Sequence, residues 1–225
     1  MSEERPRDPA WGFVSPGETR WPASAAVLTS IIIQLALPER LTLGPWWLIP
    51  GIELLVLSTL LIVGPSTLDN ESKDLRVIAL GLIAVLVGAD GSTLWLLIHH
   101  LLTPGDSLGG RTLIYSAVAV WFTFVVAFGL WFWEIDRGGP IKRCRNDHPA
   151  PDFLFPQMEN PTTTAQPWAP SFFDYLYLSL TNSTAFSPTD ALPLTHRAKL
   201  LMAVQSVASL ATVVVVGARA VNILK

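Results

Sequence analysis

Residues 171–190 read SFFDYLYLSLTNSTAFSPTD, and how this stretch meets a membrane decides the fold. Ser171 followed three residues later by Asp174 is a capping-box pattern, so a helix is predicted to start here. From 171 to 184 the helix would be roughly 21 Å long, too short for hydrocarbon about 30 Å thick and suited to a segment that dips in and returns. Its first half is aromatic and apolar (Phe172, Phe173, Tyr175, Leu176, Tyr177, Leu178), and its second half is small and polar (Ser179, Thr181, Asn182, Ser183, Thr184). Pro188 stops any helix and Pro193 keeps the return extended. Irregular backbone at membrane depth survives only when protein or a water-filled cavity shields it, so the hairpin needs a bundle around it.

Working outward, 195–224 is long enough to span. Thr195 is its predicted cap, and small residues such as Ala203, Ser206, Ser209 and Gly217 are suited to close helix approach. Upstream, four further apolar segments are predicted as spans: 21–37, 45–64, 77–103 and 112–134. The third, at 27 residues, must tilt or protrude. The fold class expected is an all-α integral membrane protein with about five transmembrane helices plus one re-entrant, pore-like helix hairpin. Its parts are a polar N-terminal arm (1–22), a four-helix transmembrane region (23–134), a Pro-rich connecting loop (135–170) and a hairpin with the last transmembrane helix (171–225). Within the loop, DFLFPQM (152–158) is apolar enough to pack back on the bundle.

Residues 174–217 resemble the pore helix, filter and inner helix of the potassium-channel superfamily. The filter sequence T-T-V-G-Y-G-D aligns without gaps to Thr184, Ala185, Phe186, Ser187, Pro188, Thr189 and Asp190. Pro193, Thr195 and Lys199 match the residues that follow it. Both filter glycines are replaced, by Ser187 and Thr189, so a potassium-type filter of converging carbonyls cannot form. The overall layout also resembles bacterial multi-pass membrane proteins of unknown function (DUF1345-like). The resemblance implies a pore-loop, ion-channel-like protein of the cell (inner) membrane, assembled as a homo-oligomer, a tetramer by analogy. Thr184 to Thr189 would line its pore, and Asp190 would attract an inorganic cation. A hairpin that only packs is the alternative, with Asp190 an exposed turn residue or a partner for Arg197 or Lys199.

Half of the 225 residues are hydrophobic, 15% are charged, and the net charge of −3 carries no sign of nucleic-acid binding. Nine Trp suit interfacial anchoring in a lipid bilayer. Cys144 stands alone, so no intrachain disulfide forms. With five spans, the N-terminal arm, the 65–76 loop and the 135–195 region share one side. That side carries most of the Lys and Arg, so the positive-inside rule places it in the cytoplasm. The channel resemblance implies the reverse orientation.

Glu53 and Asp90 are the carboxylates inside predicted spans. Each costs about 2.5–3.5 kcal/mol at mid-membrane if charged, and so should face protein or water. Asp90 lies among Gly88, Gly91, Ser92 and Thr93, where another backbone is expected to approach. No Lys or Arg lies deep in any predicted span. The two acids suggest a proton or cation site of a proton-coupled small-solute carrier, or hydrogen-bonded acids that fix helix packing. Adjacent His99 and His100 point about 100° apart on a helix and cannot share a metal without distortion. No metal-ligand spacing, nucleophile elbow, phosphate loop or dinucleotide fingerprint occurs, so neither enzyme activity, metal nor cofactor is expected.

Overall fold

The computed structural model describes residues 18–38, 41, 44–62, 73–103, 110–143, 149–159, 168–184 and 191–223. Five long elements are α1 (Trp21–Leu35), α2 (Leu48–Ile62), α3 (Lys73–Leu102), α4 (Gly110–Ile135) and α8 (His196–Ile223). Between α4 and α8 lie the short helices α5 (Pro140–Arg143) and α6 (Pro156–Glu159), the half-length helix α7 (Phe172–Thr184), and two-residue strands β1 (Phe153–Leu154) and β2 (Leu192–Pro193). Among the described residues, three helices are long and apolar enough to cross a membrane: Arg76–His100, Arg111–Gly138 and His196–Val214. α1 and α2 are apolar but shorter.

The helix boundaries follow local chemistry. Pro22 opens α1, where a missing N–H costs nothing. Pro50 is tolerated for the same reason, because α2 begins two residues before it. The helix therefore begins five residues before Glu53. Ser171 N donates to Asp174 Oδ2 at 2.7 Å, completing the predicted box before α7, and Ala198 N donates to Thr195 Oγ1 at 3.3 Å at the start of α8.

α4 is the axis. Of its apolar window 67% is buried, against 28% for α3 and 22% for α8. Phe124, Val120, Phe128 and Phe132 form its core, while Leu55, Val77, Val85, Trp95, Val207 and Val214 on the surrounding helices are half exposed or more. A soluble domain rarely leaves such an apolar exterior; lipid tolerates it. α7 lies antiparallel on α4. Trp133 packs on Phe172, Gly129 meets Leu176, and Ser179 Oγ donates to the Val125 carbonyl at 2.7 Å. The Gly129 approach is backbone to backbone: a Cβ there would sit 3.2 Å from Leu176 Cα. At Gly88 and Gly91 such a Cβ would meet nothing within 4 Å, so the close approach expected beside Asp90 occurs on α4 instead.

Both ends of the 171–195 segment lie at the C-terminal end of α4. Phe172 sits on Trp133, β2 pairs antiparallel with β1, and Arg197 Nη2 donates to the Ile135 carbonyl at 3.5 Å. The filter-like residues Ala185, Phe186, Ser187, Pro188, Thr189 and Asp190 lie outside the described residues, as do Cys144 and His148.

That end of the molecule carries a polar cap where only a Pro-rich loop was expected. A turn at Asp136–Gly138 reverses the chain, with positive φ at Arg137 (51°), Gly138 (88°) and Gly139 (96°). Fully buried Asp136 accepts from Asp152 N (2.7 Å), Phe153 N (3.4 Å) and the Tyr175 hydroxyl (2.6 Å). Asp152 in turn binds Arg197 through Nε (2.7 Å) and Nη2 (2.6 Å). Buried Arg143 donates to the carbonyls of Trp133 (2.6 Å) and Asp136 (3.1 Å) and pairs with Glu18. Burial works against its charge, but Tyr175, Asp136, Glu18 and Glu134 outweigh burial and raise its pKa. Phe153, Phe155 and Met158 do pack back on the bundle.

Candidate functional site

Glu53 on α2 and Asp90 on α3 are both fully buried. They come close enough for their charges to interact. α1 crosses in front of them and supplies a partner to each. Ser30 Oγ donates to Glu53 Oε1, and Gln34 Nε2 donates to Asp90 Oδ1 at 2.7 Å. Ser30 and Gln34 are one helical turn apart, so a single face of α1 reaches both acids. Thr123 of α4 lies beside Asp90, and its hydroxyl donates to the Val120 carbonyl at 3.0 Å. Four helices thus converge on one polar centre inside an apolar bundle.

The centre is short of donors. Among the described residues, Glu53 Oε2, Asp90 Oδ2 and Gln34 Oε1 are buried without a hydrogen-bond partner. All three are oxygens that accept. Their recorded neighbours are hydroxyls, an amide and each other, none of them cationic. Buried polar groups are ordinarily paired, and two carboxylates side by side in a dry interior are costly. The arrangement therefore has the chemistry of a receptor for positive charge. Comparison with known protein families, curated proteins and solved structures finds no match. The chemistry of the centre rests on its own geometry.

The sequence alone singled out the two acids. It did not single out Ser30 and Gln34, whose only signal was their polarity and four-residue spacing inside an apolar helix. Thr184, the one filter-like residue among those described, closes α7 with its hydroxyl donated to the Thr181 carbonyl at 2.9 Å. The polar half of α7 is held by α8. Gln205 Nε2 donates to Ser179 Oγ (2.6 Å) and Ser183 Oγ (2.7 Å), and Asn182 Nδ2 donates to the Met202 carbonyl (3.0 Å) and Gln205 Oε1 (2.8 Å). His99 stacks on Trp95, 5.4 Å between ring centres, and is exposed. Among the described residues no three or more His, Cys, Asp or Glu side chains are grouped to hold a metal ion.

Proposed function

We propose that this chain is a multi-pass membrane protein that takes up a proton or a small alkali cation at the Glu53–Asp90 pair and moves it across the bilayer, as a proton-coupled carrier of a small solute does. The observation that carries the reading is the surplus of buried acceptor oxygens at a pair of acids with no cationic partner. A proton or an ion would supply the missing positive charge. In this reading five helices cross the membrane, α7 enters it to half depth, and the basic cap faces the cytoplasm of the inner membrane.

The test is flux into proteoliposomes under an imposed pH gradient and potential, with a trapped pH dye for protons and a tracer for sodium. Asp90→Asn and Glu53→Gln are each expected to lower flux at least tenfold while the purified protein keeps its helical content. Wild-type protein that passes neither ion would overturn the proposal. Labelling by a hydrophobic carbodiimide separates the two ions. Sodium protects the acids if sodium is the occupant, and only alkaline pH does so if it is the proton.

A second reading is favoured by the 171–195 segment, whose two ends lie together at the cap, and by α7, which buries Ser179 and Ser183 of its polar half. In that reading α7 and residues 184–190 line a cation pore in an oligomer, a tetramer by analogy with potassium channels. Asp190→Asn would then reduce flux and Asp90→Asn would not. The hydrogen bonds from Gln205 to Ser179 and Ser183 support a third role for the hairpin, as a packing device.

A further inference from the structure

A groove lies between the C-terminal end of α1 and the first turns of α4. α1 stops at Leu35, and Pro38 prevents its continuation. The first turns of α4 therefore face a space of about 330 Å³, bordered by Ile33 and Leu37 on one side and Thr112, Ser116 and Ala119 on the other. Gln34, the residue that holds Asp90, follows Ile33 in the last turn of α1 and precedes Leu37 by three residues. On α4, Thr112, Ser116 and Thr123 are spaced four and seven residues apart, so their hydroxyls share one face. That face leads from the groove, past Ser116 (3% exposed), to Thr123 (fully buried) beside Asp90, a rise of about 10 Å from 116 to 123. In the other direction the path is blocked. Phe128, Phe132 and Trp133 are fully buried, Phe132 packs on Phe153 at 5.2 Å, and the charged cap closes over them.

We propose that this groove is the entry path by which a cation reaches Glu53 and Asp90, and that it opens on the face of the membrane opposite the cap. The inference rests on reading the acid pair as a cation site and adds a route and a side to it. In this proposal the buried site is reached from one face alone, as expected for one state of an alternating-access cycle. Ser116 is the gatepost of the route, because it lines the groove and is itself only 3% exposed.

The experiment uses full-length protein in proteoliposomes with Cys144→Ser as background and Ser116→Cys as probe. A membrane-impermeant, positively charged methanethiosulfonate should modify position 116 from the face opposite the cap only, and modification should lower proton or sodium flux at least fivefold. Ala119→Phe, which narrows the groove without touching the acids, should lower flux in parallel. If position 116 resists the reagent from both faces, or is modified without any change in flux, while Asp90→Asn still abolishes flux, the entry path is wrong and the acid pair stands. If Asp90→Asn leaves flux unchanged, the pair itself fails and the path fails with it. Modification from the cap face would overturn the proposed sidedness. The cysteine probe is a near-isosteric change, so the result does not depend on whether Ala119→Phe folds.

Discussion

Asp136 holds the cap together, because one buried carboxylate receives two backbone N–H groups and the Tyr175 hydroxyl while facing Arg137 Nε at 3.6 Å. Removing it strands a buried guanidinium. Asp136→Ala should cost about 3–5 kcal/mol, and Tyr175→Phe, which removes one charge-assisted bond, about 1.5–3 kcal/mol, both measured by thermal unfolding in detergent. Equal melting temperatures for these variants and wild type would show that the cap does not stabilise the bundle. The raised pKa of Arg143 sets a sign. Its contribution is fully present below the unfolded-state pKa and is lost only as pH rises through the higher folded value. Both lie above neutrality, so this residue gives the fold no pH dependence between mildly acidic and mildly alkaline conditions. None of this was legible beforehand. Asp136, Arg137 and Arg143 read as loop charges, since an ordered turn built on positive φ at three successive residues has no periodicity to detect.

At the scale of elements, the predicted helices lie where the sequence placed them to within four residues at each end, because apolar runs bounded by proline and capping residues leave little freedom. Contacts between them were less legible. Glycine marks close approach only where a neighbour is present, and Gly88, Gly91 and Gly129 look alike in one dimension. The structure separates them and yields a difference in sign. Gly88→Ala, in open space, should gain up to about 1 kcal/mol from helix propensity. Gly129→Ala should lose about 1–3 kcal/mol by pushing α7 off α4, since the Leu176 backbone does not yield. Thermal unfolding of the pair in one detergent reads the contrast, and a gain at both positions would mean that α7 is not seated on α4. The acid site was half legible for a related reason. A carboxylate in an apolar run announces itself, whereas the serine and glutamine that meet it across the bundle do not.

For the whole molecule, the decisive arrangement is that the ends of 171–195 share the α4 C-terminal end with Glu18 and Arg76, which reach Trp133 and the Glu134 carbonyl. Cysteines placed at exposed Phe173 and Leu192 in a Cys144→Ser background should react with an impermeant reagent from one face, and a cysteine at exposed Tyr115 from the other. Labelling of 173 and 192 from opposite faces would turn the hairpin into a full crossing. The unequal lengths of the helices have a further consequence. α1 and α2 each run 15 residues, about 22 Å, beside the 26 residues of α4, about 39 Å. In the five-span reading, lipid around the α1–α2 flank must thin to meet them, while lipid around α3 and α8 need not. In that reading the protein imposes a lopsided dimple on its bilayer, deepest on the flank that carries Glu53, and acyl-chain length becomes a lever on how far the aqueous phase stands from the acids.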